Sequence, residues 1–170
     1  AKYAETADFV DLPPVGATRV EAMVSQLVDS TGTERVGDIR RAMQETMDFN
    51  AQVYRTQESL NQALSDVRAL PQRFTHVAIH DRGARYNTDL LEAIELGFLL
   101  ELAEVLVVGA LARKESRGGH AREDYQTRDD ENFMVHTMAY REVGTDGSES
   151  VRLDYKPVTV TRYQPMERKY

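Results

Sequence analysis

At 170 residues the chain is long enough for one compact unit, or one unit with a long arm, and for a core of its own. Its 41% hydrophobic and 29% charged residues exclude a disordered or fibrous chain, and its net charge of −7 argues against nucleic acid or an anionic membrane face as the main partner, because phosphate binding needs a basic surface. The absence of cysteine excludes disulfides, thiolate metal sites, cysteine-ligated iron–sulfur clusters and a cysteine nucleophile in this chain.

The opening segment, AKYAETADFV, has no initiator Met and no basic, apolar leader, as expected of a processed chain or a fragment. Pro13, Pro14 and Gly16 suit an extended linker, so a boundary is expected near residue 14. Val20, Met23, Val24, Leu27 and Val28 recur at helical spacing between Ala17 and Asp29, and Ser30, Thr31 and Gly32 would end that helix. A second helix is predicted from about Arg35, with Ile39, Met43, Met47, Asn50 and Tyr54 on one side. Thr56 reads as a fresh N-cap, and Leu60, Ala63, Leu64, Val67 and Leu70 mark a third helix that Pro71 would close or kink.

Asn87 and Asp89 suit the start of the longest helix, since a short side chain can accept the first free N–H groups and an acid suits the positive end of the dipole. Leu91, Ile94, Phe98, Leu102 and Val105 form one stripe, and Leu99, Leu106, Val107 and Leu111 widen it around most of the circumference, which predicts the most buried helix of a bundle. The run from Leu96 to Ala112 carries Glu101 and Glu104 and falls short of the ~20 residues that span a bilayer, so no membrane insertion is expected. Beyond Arg117 the period becomes two. Residues 133–140 and the run SVRLDYKPVTV alternate around the turn residues GTDG, predicting a β-hairpin with Pro157 at an edge or strand end and an extended tail after it.

Chemical motifs are sparse. His76 and His80 have a metal-ligand spacing but lack a third ligand at a motif distance, and Glu101 and Glu104 lack the Glu-x-x-His partner of a diiron bundle, which leaves them as a helix edge or as partners for arginines. No metal site is expected. Gly118 and Gly119 follow a helix where a dinucleotide fingerprint would precede one, and read as the left-handed stop of the long helix. Ser116, His120 and Asp124 lack the nucleophile-elbow context of a triad. The striking feature of composition is the loop from 112 to 132, in which Arg113, Lys114, Arg117, Arg122 and Arg128 alternate with Glu115, Glu123, Asp124, Asp129, Asp130 and Glu131. Two readings are open: the loop pairs its own charges over the bundle's end, or its arginines dock on another surface.

The stretch Glu115-Ser116-Arg117-Gly118-Gly119-His120-Ala121-Arg122, followed by Asp124-Tyr125, Arg128-Asp129-Asp130, Asn132-Phe133 and His136-Thr137, resembles the C-terminal signature of succinate dehydrogenase and fumarate reductase flavoprotein subunits. Leu153 to Val158 resembles that family's last strand, and Pro165-x-x-Arg168-x-Tyr170 its terminal motif, which would make this the native C-terminus. Ile39 to Gln44 and Asn87 to Leu90 with Glu92 fit its helical domain, and Gly119 stands where alanine is common. L-aspartate oxidase shares a similar S-R-G-x-H stretch but not the tail.

The resemblance implies a mainly α domain, an antiparallel, spectrin-repeat-like bundle of about three helices with a C-terminal β-hairpin and extended tail. Residues 1–14 would be a linker from a preceding flavin-binding domain, 15–117 the helical bundle, and 118–170 the charged docking loop, hairpin and tail. In the intact subunit, FAD and the dicarboxylate site lie in other segments, so no catalytic, cofactor-binding or metal residue is expected in this chain. Glu115, Ser116, Arg117, Gly118, His120, Arg122, Arg128, Asp129 and Asp130 would dock the bundle on the flavin domain through interdomain pairs. The intact subunit would oxidise succinate to fumarate and pass electrons to an iron–sulfur subunit and quinone, peripherally on the inner face of the cell membrane or on the matrix side of a mitochondrion. Fumarate reductase, a self-standing interaction module and a metal-dependent bundle enzyme are the alternative readings.

Overall fold

A computed structural model of the chain describes residues 3–11, 17–145 and 148–166. Pro13, Pro14 and Gly16 with the boundary expected near residue 14, Asp146 and Gly147 of the turn, and Arg168 and Tyr170 of the terminal motif lie outside the described residues.

The architecture is an antiparallel helical bundle with a hairpin beside it. Helix α1 covers Thr18–Val28, and its Leu27 enters the core. Helix α2, Val36–Asn50, buries Val36, Ile39 and Met43, one turn or two apart. The chain then turns at the buried Ala51 and forms the short strand β1, Tyr54–Arg55, so Tyr54 does not extend the helical stripe as its spacing predicts. Helix α3, Gln57–Phe74, starts at Thr56 in a reciprocal cap: the threonine hydroxyl accepts from the Ser59 N–H at 3.1 Å, and the Ser59 hydroxyl accepts from the Thr56 N–H at 3.1 Å. Leu60, Ala63, Val67 and Leu70 form its buried face.

Pro71 neither closes α3 nor ends it; the helix runs on to Phe74, and the Thr75 N–H still donates to the Pro71 carbonyl at 3.1 Å. Proline costs the helix its N–H and crowds the Val67 carbonyl, but Pro71 lies on the exposed side of the last turn while Leu70 and Phe74 pack into the core and hold that turn in place. At the opposite end of the core, the segment after α1 crosses the segment after α3. Glu34 donates to the His76 carbonyl and accepts from Ala78, and a Cβ on Gly32 would fall 1.9 Å from the His76 oxygen, so only glycine permits this approach.

Helix α4, Thr88–Ala112, is capped by the Asn87 side chain, which accepts from the Leu90 N–H at 2.8 Å. Its core face is Ala93, Leu96, Leu100, Ala103, Val107 and Ala110, an alternation of three and four that faces α2 and α3, with the alanines letting those helices come close. This corrects the predicted stripe: Leu91, Phe98, Leu102 and Leu106 remain 55%, 54%, 62% and 47% exposed. A helix that is apolar nearly all round has no strong side of its own, so the neighbouring helices decide which side is buried. Among the described residues no helix is long and apolar enough to cross a membrane.

Beyond α4 come strand β2, Ala121–Arg122, paired in parallel with β1, and the short helix α5, Asp130–Phe133, capped by Asp129. Strands β3, Val135–Val143, and β4, Glu149–Pro157, form the antiparallel hairpin, with Val135 opposite Pro157 and Val143 opposite Glu149. Pro157 falls at the strand's end, where its missing N–H leaves the pairing intact. Gly118 and Gly119 do not stop α4, which ends at Ala112 with Arg113 in an extended conformation. Instead they bridge Arg117 and His120, whose backbones bond each other in both directions, and Gly118 takes φ +60 at the first central position of that tight turn.

Candidate functional site

The predicted site residues converge on the C-terminal end of α4. Its last turn contains no basic residue, and the carbonyls there need donors. Arg122 supplies them from β2: one terminal nitrogen donates to the Ala110 carbonyl at 3.1 Å, while Nε and the other terminal nitrogen grip Asp124 at 2.7 and 2.8 Å. The guanidinium is 1% exposed and lies 4.9 Å over the Tyr125 ring. It also holds the Asp124 carboxyl down to about 2. Ser116 locks the backbone around it, accepting from the Arg122 N–H at 2.8 Å and donating to the Tyr125 carbonyl at 2.9 Å.

Glu115 is the centre of a second cluster. Fully buried, it accepts from Arg113 at 2.6 Å, from Arg117 at 2.8 and 2.9 Å, and from the Asp129 N–H at 2.8 Å. Burial by itself pushes its carboxyl up, and the bonds from Arg117, Asp129 and Arg113 more than reverse this, leaving it below the usual carboxylate range. Arg117 is raised in turn, chiefly by Glu115, and it also reaches Asp130 at 2.7 Å. Arg128 donates to the other Asp130 oxygen and to the Met166 carbonyl, both at 2.8 Å, tying the tail to the loop. Asp129 accepts from the Asn132 N–H at 3.0 Å, which starts α5.

His120 joins the two clusters. Its Nε2 donates to the Arg113 carbonyl at 3.0 Å and its Nδ1 accepts from Arg55 at 2.9 Å, so the ring is neutral with its proton on Nε2. Burial first, and then the positive charges of Arg55, Arg122 and Arg113, lower its pKa. Burial also lowers that of Arg55, with a further push from Arg122.

All nine residues singled out in the sequence are therefore brought to one place, with Gly118 shaping the turn between Arg117 and His120. Arg113, Arg117, Arg122 and Arg128 find their carboxylates, Glu115, Asp124 and Asp130, within the chain, as in the reading of a loop that covers the bundle's end. Among the described residues no buried side-chain nitrogen or oxygen lacks a hydrogen-bond partner. The arrangement is a clasp. Ser116, His120 and Asp124 form no relay, because each bonds other groups. Glu101 and Glu104 do serve arginines, Arg141 at 3.5 Å and Arg68 at 2.8 Å. His76 and His80 hold no shared centre: among the described residues no group of three or more His, Asp or Glu could hold a metal ion.

Sequence reasoning missed three participants. Arg113 also donates to the Phe133 and Val135 carbonyls, both at 2.9 Å, and to Thr137 at 3.1 Å, so it joins α4 to the hairpin. Arg55 and Gln57 come from the α2–α3 connection, Gln57 donating its N–H to Asp124 at 2.9 Å and accepting from Arg122 at 3.3 Å. The signal for Arg113 was its place in the same charge run; Arg55 and Gln57 carried none, being about sixty residues away in the chain.

The family described as fumarate reductase flavoprotein C-term matches residues 40–170. The fumarate reductase flavoprotein subunit of Mycobacterium tuberculosis is 38% identical over 177 aligned residues, covering 100% of this chain and 30% of that protein. The succinate dehydrogenase flavoprotein subunit of Rickettsia bellii is 42% identical over 151, covering 87% of this chain and 25% of that protein. A solved variant of Escherichia coli quinol fumarate reductase superimposes with a TM-score of 0.86 at 38% identity, over 98% of this chain and 28% of that one. The chain thus spans less than a third of the length of the relatives it matches.

Proposed function

The chain belongs to the fumarate reductase flavoprotein C-terminal family, and on that premise we propose that it is the C-terminal structural domain of a succinate dehydrogenase flavoprotein subunit. In that reading the intact subunit carries FAD outside these residues, oxidises succinate to fumarate, and passes the electrons to an iron–sulfur subunit and then quinone. The subunit is peripheral to the membrane through its complex. The domain's part is mechanical: it supports the flavin-binding part of the subunit, and the loop of Glu115, Ser116, Arg117, Gly118, His120, Arg122, Arg128, Asp129 and Asp130 is the stiff element that meets it.

The observation that supports this role is the buried Glu115, held by Arg113, Arg117 and the Asp129 N–H at once. A carboxylate bound on all sides, beside an equally committed Arg122, is suited to fixing loop shape rather than to exchanging protons with a substrate. The loop then meets its neighbour mainly through shape and backbone, with its arginines already committed to carboxylates of the same chain. Relatives of both kinds lie at similar identity, 42% for a succinate dehydrogenase subunit and 38% and 40% for fumarate reductase subunits, so the direction in this proposal is for the experiment below to decide.

Purification of the natural polypeptide that carries this sequence tests the reading. A mass well above 19.3 kDa, flavin absorbance and succinate-dependent dye reduction faster than fumarate-dependent reoxidation are expected. A natural product of this length without flavin refutes the proposal; a flavoprotein that reduces fumarate faster than it oxidises succinate refutes the direction alone.

A further inference from the structure

The core side of α4 leaves a second apolar side open. Leu91, Phe98, Leu102 and Leu106 stand 55%, 54%, 62% and 47% exposed. At 100° per residue they fall within one sector, roughly opposite the face of Ala93, Leu96, Leu100, Ala103 and Val107 that α2 and α3 cover. Four half-open side chains leave roughly 400 Å² of apolar surface, as large as the biggest patch ordinary monomers keep. The stripe's own polar interruptions are already drawn aside: Glu95 reaches Arg40 of α2 at 3.9 Å, and Glu101 reaches Arg141 of the hairpin at 3.5 Å. Glu95 rises from within the strip towards α2, and Glu101 marks its edge towards the hairpin.

A helix apolar on both sides is stable only when both sides are covered. We infer that the outer face of α4 is an interdomain surface, covered by the preceding part of the same flavoprotein polypeptide. This rests on the family reading above and deepens it by naming the seam. Two observations select that occupant. The matched relatives are more than three times as long as this chain, and the family description places these residues at their C-terminal end, so a large preceding body is available in the same molecule. The segment that leads into α1 also leaves Phe9 and Val10 fully open to solvent, as a strand of chain that packs on something other than the bundle would. The charged loop, by contrast, commits its arginines within the chain and, among the described residues, keeps only Lys114, Glu123 and Glu131 exposed without an ion pair, so the apolar stripe is the part that supplies most of the cohesion there and the loop the part that supplies shape.

Hydroxyl-radical footprinting compares the natural full-length polypeptide with the 170-residue chain alone. Phe98 and Leu102 are expected to be oxidised about tenfold more slowly in the full-length protein, because the middle of a packed seam excludes water. Leu102→Glu is expected to leave the melting of the isolated chain unchanged and to lower that of the full-length protein. Equal oxidation in both forms of a protein that does carry flavin overturns the seam while the family role stands. Concentration-dependent protection in the isolated chain, with dimers in sedimentation, overturns it in favour of a second copy. A full-length protein without flavin overturns both readings.

Discussion

Arg122 lies beyond the end of α4 in the chain, yet its guanidinium donates to the Ala110 carbonyl at 3.1 Å and so supplies the cation that the helix's own last turn lacks. The same group holds Asp124 with two bonds, and Asp124 accepts the Gln57 N–H from the start of α3. One buried side chain thus fixes the loop to two helices.

Arg122→Ala strips Asp124 and the α4 carbonyls of their donor together, and an uncompensated buried partner costs about 3–5 kcal/mol. Thermal melting should fall accordingly, with Arg122→Lys intermediate, because an ammonium keeps the charge but not the two-pronged grip. An alanine variant melting with the parent chain would show that the clasp contributes nothing.

The neutral His120 predicts an acid-sensitive step. Its folded pKa is lowered, so protons bind more readily to the unfolded chain, whose ordinary value is about 6.5. The stabilisation is complete above that value and is lost as pH falls through the folded one, when an Nδ1 proton would face Arg55. Urea midpoints should drop between about pH 7 and pH 5, and His120→Asn should flatten that drop while starting from a lower midpoint. Parallel pH curves for the two proteins would sink the assignment.

Gly32→Ala drives a methyl group to within 1.9 Å of the His76 carbonyl oxygen. Because that atom belongs to backbone bonded to Glu34, it cannot step aside without breaking the bridge. A loss of about 2 kcal/mol or more is expected in denaturant unfolding. Gly37→Ala, with nothing within 4 Å of its new methyl group, is the control and should not destabilise.

Thr56→Ala removes the acceptor for the Ser59 N–H at the start of α3 and should cost about 1 kcal/mol. Hydrogen exchange would localise the effect to the first turn of α3. Loss of exchange protection throughout α4 instead would mean that the cap supports the bundle by another route.

Much of the fold was legible. Thr56 and Asn87 announced their helices because caps act locally, through a side chain and an N–H three residues away. The hairpin was legible from its period of two and its turn residues, and the charge run marked the loop on which the clasp is built. Pro71 and Tyr54 misled for a shared reason: a local preference is worth a few kcal/mol at most, and packing of Leu70, Phe74 and Ala51 outweighed it.

What the amino-acid order determined by itself was therefore everything carried by neighbours within about one helical turn or one strand pair: where helices start, where the period changes, and which stretch holds opposite charges at high density. What only the tertiary structure decided was which side of α4 is core and which arginine serves which carboxylate. With apolar residues on every side, α4 has no lowest-energy face until α2 and α3 arrive. Eleven charges in one loop allow many pairings until burial of Glu115 and Arg122 makes all but one of them costly.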